Sequence, residues 1–271
     1  MGVELAARGV SFRNSGEANL SHPGVVGAIH RDYREAGATV FQTNTFAANQ
    51  MMLERAGLGE QAAAIQTAAA RIVREAVGPE PLVALNLGPT GHLLEPLGDV
   101  PREQVVACYR RQVETMLPQA LDFVLVESFE SLDEAEAALE AVREAGCTLP
   151  VAVTMSFSNQ NGTSSFGHDG AQAARRLGAL GVDIMGANCG HMEGLRRALQ
   201  QMAEVSELPL MAQPNAGQPG LIGGRTIYRQ TPEDFGRFAQ GLIELGVRLI
   251  GGCCGTTPAH IRQLARLARA E

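Results

Sequence analysis

Seven short apolar runs recur along the chain, at 38–43, 82–87, 121–127, 149–155, 182–188, 208–213 and 247–252. Each is mostly continuous rather than alternating, the pattern of strands buried on both faces of a parallel sheet. Amphipathic segments separate them, at 22–36, 51–77, 101–117, 132–145, 171–180, 193–205, 232–245 and 261–270, and these predict helices. Four of those segments close on Gly37, Gly146, Gly181 and Gly246, each just ahead of the next apolar run. A glycine there can adopt the left-handed conformation that stops a helix. Strands alternating with helices at this rhythm imply parallel pairing with right-handed crossovers. The expected fold class is α/β, a (β/α)8 TIM barrel with its first strand truncated or missing, because seven strands answer to eight helices. An open doubly wound sheet is the competing architecture.

The length of 271 residues suits one such barrel, for which about 250 is typical. No composition shift or Pro/Ser-rich linker divides the chain, so residues 1–271 are read as a single domain. A net charge of −7 without a basic cluster argues against nucleic acid or an anionic membrane as partner. No apolar run approaches the roughly 20 residues a membrane span needs. The opening MGVELAARGV has neither a cationic n-region nor an apolar h-region, so no secretory signal is expected. Five cysteines, two of them adjacent, are too few for a disulfide scaffold. They point to a cytoplasmic protein in which metal binding or catalysis accounts for some of the thiols.

In a barrel the chemistry collects where strands run into their following loops. The runs here end in Thr43-Asn44-Thr45, Asn86, Glu127, Asn188-Cys189, Gln213 with Asn215, and Gly252-Cys253-Cys254. Cys189, Cys253 and Cys254 therefore fall at one end of the barrel. Cys108 and Cys147 lie on or just after helices and are expected to be structural. Three thiolates with an open fourth position make a sensible catalytic zinc site, since structural sites fill all four positions. Such a site activates water poorly but can hold an incoming thiol as its reactive thiolate. Gly251, Gly252 and Gly255 permit the bend that adjacent ligands require. The competing reading makes all three cysteines small buried hydrophobes. Glu127 closes an apolar strand and could pair with a substrate ammonium, or else accept from loop amides. Thr43, Asn44 and Thr45 could line the pocket or cap their loop. His22, His30, His191 and His260 are not expected to be metal ligands.

These residues resemble the homocysteine S-methyltransferase family over essentially the whole chain, in order. The resemblance is carried by 19–37 running into QTNTF at 42–46, LNLGPTG at 85–91 and Glu127. It continues through GANCG at 186–190, PNAG at 214–217 and GGCCGTTPAHI at 251–261. It implies a barrel in which Cys189, Cys253 and Cys254 bind Zn2+, with the homocysteine sulfur as fourth ligand. The thiolate then displaces a methyl group in line and methionine leaves. Glu127 is implied to hold the homocysteine amine, with backbone near Thr45 and Phe46 in the same pocket; Asn44 and Asn188 are candidate substrate contacts beside them. Family members take methyl from betaine, S-methylmethionine, S-adenosylmethionine or methylcobalamin. The PNAG segment and Gln230-Thr231-Pro232 look closer to the barrel of cobalamin-dependent methionine synthase, and Ala47 stands where betaine enzymes have tyrosine. A corrinoid partner would have to be a separate chain, and a homo-oligomer is also compatible. The alternatives are a homocysteine-binding module of a corrinoid-dependent multiprotein methyltransferase, or a non-catalytic zinc-binding barrel. The family opens with a strand ending in Asp-Gly-Ala-Met-Gly-Thr-Glu-Leu, whose second half matches residues 1–5. The Asp, an amine contact in relatives, would precede Met1. Either the natural start lies upstream or the strand is absent. Both cases leave flanking strands with unpaired edges, and the missing Asp lowers the expected homocysteine affinity and puts turnover in question.

Overall fold

The computed structural model describes residues 1–223 and 225–269. They group into two compact units. The first comprises Met1–Arg34, Thr39–Phe129 and Asp133–Val151. The second comprises Glu35–Ala38, Glu130–Leu132 and the chain from Ala152 onward.

The first unit opens with helices α1 (Gly2–Ala7), α2 (Ala18–Ser21) and α3 (Pro23–Glu35). Strand β1 (Val40–Gln42) follows, then α4 (Gln50–Arg55), α5 (Ala62–Val77), β2 (Leu82–Leu87), α6 (Arg102–Met116), β3 (Phe123–Phe129) and α7 (Leu132–Glu144). β1 pairs with β2 and β2 with β3, both parallel. Val83, Ala84, Leu85 and Leu87 on β2 and Val124, Leu125 and Val126 on β3 are all buried. Burial on successive residues is what a continuous apolar run requires of a strand covered on both faces. Leu5, Val26, Ile29, Ala68 and Ile72 pack α1, α3 and α5 into one apolar cluster. The expected single helix at 51–77 is broken. Gly57 takes φ 69 and the chain makes a 3-10 turn at Gly59–Gln61 before α5 starts.

The second unit holds β4 (Val151–Met155), α8 (Gly170–Ala179), β5 (Ile184–Asn188), α9 (Met192–Ala203), β6 (Leu210–Gln213), the hairpin β7 (Gly220–Ile222) and β8 (Arg225–Ile227), then α10 (Pro232–Glu244), β9 (Val247–Ile250) and α11 (Pro258–Leu267). β4, β5, β6 and β9 pair parallel in that order. A doubly wound sheet would reverse its strand order at a switch point; neither unit contains such a reversal. The repeat is therefore that of the (β/α)8 class. Among the described residues no strand precedes β1. Among the described residues β1 and β9 each pair with one strand, as the edges expected from the sequence would. The last helix starts earlier than expected, at Pro258, where Thr257 and His260 form a capping box. Ala270, its last expected residue, lies outside the described residues. Gly37, Gly146, Gly181 and Gly246 all take positive φ, as their positions at helix ends require. No helix among the described residues is long and apolar enough to cross a membrane.

His30 lies on α3 with its ring edge-on to Phe41 of β1, and its Nε2 has no partner among the described residues. Burial pushes its pKa down to about 3. A histidine depressed in the folded state is neutral when folded and protonates on unfolding. Its contribution is intact above the unfolded value near 6.5 and is lost as pH falls from there toward 3. Over that window His30 should cost about 1.4 kcal/mol of stability per pH unit. Urea denaturation between pH 6.5 and 5 should accordingly show a shallower loss for His30→Leu than for the natural chain; equal slopes would contradict the burial assignment.

Candidate metal centre and strand-end site

The second unit gathers Cys189, Cys253 and Cys254 so that their sulfurs lie within 4.8 Å of one another. Each is half-buried. The local backbone explains the convergence. At the end of β5, Cys189 takes φ 57 and Gly190 takes φ 58, two successive left-handed residues. That conformation is uncommon for a residue with a Cβ and is held only where surroundings over-determine it. Here Cys189 N–H donates to the Gln213 carbonyl (3.0 Å) and His191 N–H to the Phe157 carbonyl (2.9 Å). A side chain at Gly190 would strike that carbonyl, 2.4 Å from an added Cβ. His191 caps α9, its Nδ1 accepting from Gly194 N–H.

After β9 the second ligand loop is fixed from several sides. Cys253 N–H donates to the Pro214 carbonyl (2.9 Å), and Cys254 N–H to Asn215 Oδ1 (3.0 Å). The Thr256 hydroxyl donates to the Cys253 carbonyl at 2.7 Å. Asn215 Nδ2 reaches the Gly190 carbonyl at 3.3 Å, so one amide ties both cysteine loops together. Tyr228, just after the hairpin, lays its ring on Gly255, where an added Cβ would lie 2.2 Å from Cγ. Its hydroxyl bonds Cys254. Asn188 directs Nδ2 to Cys253 Sγ at 3.9 Å.

Cys253 and Cys254 sulfurs are 3.9 Å apart. A tetrahedral ion with thiolates at about 2.3 Å sets its ligands about 3.8 Å from one another. The donor set therefore fits a thiophilic four-coordinate cation with one position left over. The thiols also share protons unevenly. Hydrogen bonds from Cys189 and Cys253 hold Cys254 far below the ordinary thiol range. The same contacts, from Cys189 and Cys254, together with burial, push Cys253 well up. Cys189 is pulled down by Cys253 but pushed further up by Cys254 and by burial. Three thiols this close do not all ionise without a cation to compensate them.

The first unit sets its own polar cluster at the strand ends. Glu127 is 7% exposed; Gln42 Nε2 donates to its Oε1 (2.9 Å) and Asn86 Nδ2 to its Oε2 (2.8 Å). β3 does not stop at Glu127, as expected from the sequence, but runs on to Phe129 through Ser128 at φ 65. The Asn44 side chain donates to the Ser15 carbonyl (2.8 Å) and to Asn19 Oδ1 (2.9 Å), so both of its N–H groups are engaged within the fold. The Thr45 hydroxyl donates to the Asn86 carbonyl at 2.7 Å, and the Thr45 carbonyl accepts from Ala48 N–H and Gln112 Nε2. Phe46 is 37% exposed and lies against Gly88, whose missing side chain makes room for it. Sequence reasoning missed Tyr109 and Glu134. Glu134 Oε1 accepts from Thr90 N–H, the Thr90 hydroxyl and the Tyr109 hydroxyl, anchoring the loop after β2. No sequence spacing links those three residues.

The profile of the homocysteine S-methyltransferase family matches residues 1–268. The chain belongs to the homocysteine S-methyltransferase family. Methionine synthase of Mycobacterium tuberculosis is 33% identical over 260 residues, which cover 91% of this chain and 22% of that one. Betaine–homocysteine S-methyltransferase 1 of Mus musculus is 32% identical over 273 residues, covering 92% of this chain and 65% of that one. The chain thus spans less than two thirds of either relative. The metallated form of the homocysteine methyltransferase MmuM from Escherichia coli superposes with a TM-score of 0.82 at 26% identity, over 98% of this chain and 93% of that chain. The family resemblance expected from the sequence is thereby established, and the (β/α)8 fold class with it.

Cobalt(II) titration tests the ligand geometry directly. About one ion per chain should bind with strong sulfur-to-metal charge-transfer absorption. Gly190→Ala, which must displace the Cys189 turn, should weaken binding at least about tenfold. Unchanged affinity in that variant would mean the left-handed turn is not needed to present Cys189.

Proposed function

We propose that the protein transfers a methyl group to the thiolate of homocysteine, giving methionine, with Zn2+ held by Cys189, Cys253 and Cys254. The observation that carries this reading is the convergence of three half-buried sulfurs within 4.8 Å, on a family whose named members are homocysteine methyltransferases. Bound zinc would supply the charge that keeps a substrate thiol deprotonated near neutral pH. The chain's own residues do the rest. Asn215 and Thr256 hold the cysteine loops, Asn188 and Tyr228 bond the Cys253 and Cys254 sulfurs, and the half-exposed cluster leaves an approach for a substrate sulfur. Glu127 is assigned the substrate ammonium, being the buried carboxylate at a strand end with side-chain amides holding both oxygens. Thr45 and Phe46 offer backbone to the amino-acid end of the substrate, and Asn44 holds their turn in place through Ser15 and Asn19.

Residues 1–271 are proposed to act as one domain, in keeping with the unbroken family match over 1–268. Five free cysteines suit a reducing cytoplasm. One observation favours a second reading, in which the methyl arrives on a separate corrinoid protein. The segments at 214–217 and 230–232 look closer to the barrel of cobalamin-dependent methionine synthase.

The test is methionine formation by zinc-loaded protein offered S-methylmethionine, S-adenosylmethionine, betaine and methylcobalamin in turn. Turnover is expected with at least one donor, none with Cys189→Ala, and about a 10- to 100-fold higher KM for homocysteine with Glu127→Gln. No methionine from any donor, free or protein-borne, would favour a non-catalytic zinc-binding barrel.

A further inference from the structure

We infer that Asn86 is a specificity-determining residue, its side-chain carbonyl completing with Glu127 an acceptor site that selects thiols bearing a primary ammonium group. The inference rests on the homocysteine reading above and deepens it. Asn86 sits on β2, between Gln42 of β1 and Glu127 of β3, and is 2% exposed. Its Nδ2 donates to Gln42 Oε1 (3.0 Å) and to Glu127 Oε2 (2.8 Å), which uses both of its hydrogens. Gln42 Nε2 donates in turn to Glu127 Oε1. An ionised carboxylate only accepts, so it dictates which way both neighbouring amides face. Turning the Asn86 amide over would set its oxygen against the Glu127 carboxylate and against Gln42 Oε1. The orientation is therefore forced, and it leaves Asn86 Oδ1 buried with no hydrogen-bond partner among the described residues.

A buried orphan acceptor is costly unless a ligand donor meets it. The group that suits it is defined by what the trio offers. There is one formal negative charge, carried by Glu127, and an additional neutral carbonyl beside it. Anions are repelled and a neutral hydroxyl would leave the charge uncompensated. A primary ammonium supplies three N–H donors and one positive charge, enough for the carboxylate and the amide oxygen together. A thiol lacking the ammonium would bring no positive charge to Glu127 and would leave Asn86 Oδ1 unmet, and discrimination of this kind can be large because the penalty falls on the wrong ligand.

Calorimetric titration of zinc-loaded protein with homocysteine and with 4-mercaptobutanoate, its des-amino analogue, tests the inference. The natural chain should prefer homocysteine at least about tenfold. Asn86→Ala should lose about tenfold or more for homocysteine and less than about twofold for 4-mercaptobutanoate. Asn86→Leu keeps the side-chain volume while removing the amide, and should show the same selective loss for homocysteine. Equal losses for the two thiols in Asn86→Ala or Asn86→Leu would overturn the inference and leave Asn86 a structural brace. If Asn86→Ala does not fold, the Leu variant decides alone. A natural chain that binds neither thiol would overturn the homocysteine reading itself, whereas one that discriminates while its variants do not follow would overturn only the role of Asn86.

Discussion

Sulfurs of three cysteines within 4.8 Å of one another make a poor apolar core and a worse cluster of thiolates. Without a cation their protons redistribute, with Cys254 held low and Cys253 pushed high by its neighbours and by burial. The rest of the second unit is arranged around keeping these atoms together. Cys189 and Gly190 are both left-handed, a conformation that turns the chain out of β5 in two residues. The carbonyls of Phe157 and Gln213 accept from this turn, and Asn215 joins it to the loop after β9. Strain of this kind persists only where neighbours hold it, and it collects where function needs a fixed geometry. A chain selected only to pack thiols as small hydrophobes would have no reason to place them so.

The first unit follows the same rule at its own strand ends. Among the described residues Ser128 is the other non-glycine residue with positive φ, and it directly follows Glu127 as Cys189 follows Asn188. Below these ends the side chains are apolar and buried; at them, polar groups are cross-linked. The loop after β1 hangs from Asn49, which reaches the carbonyls of Gly88 and Pro89, and the loop after β2 hangs from Glu134. Buried polar groups linked in this way fix orientation more firmly than packing alone, because each leaves a costly vacancy if it turns. The oxygen of Asn86 is left without a partner in this group, as is Oε1 of Gln112, and it is the one that lies beside the Glu127 carboxylate.

Much of this was legible in the sequence because it depends on local rules. Continuous apolar runs mark strands covered on both faces, and helix-ending glycines mark where each strand begins. The cysteines declared themselves by falling at strand ends beside glycines. What escaped notice is what local pattern does not encode. Helix α1 is six residues long, too short for periodicity to show, and the hairpin strands β7 and β8 have three residues each. Gly57 divided a helix that its flanking hydrophobic pattern joined. Asn44 and Asn86 sit on similar strand ends, yet the Asn44 N–H groups are engaged within the fold while Asn86 keeps an unmet acceptor. Only the three-dimensional arrangement of their neighbours separates a loop brace from a candidate ligand contact.

The central claim is that three cysteine sulfurs hold zinc and leave one position for a substrate sulfur. Zinc K-edge absorption on the purified protein, before and after homocysteine, tests it most directly. The account predicts three sulfur neighbours and one lighter ligand in the free protein, and four sulfurs at about 2.3 Å once homocysteine is added. Four sulfurs before homocysteine, or three that stay three after it, would contradict the account.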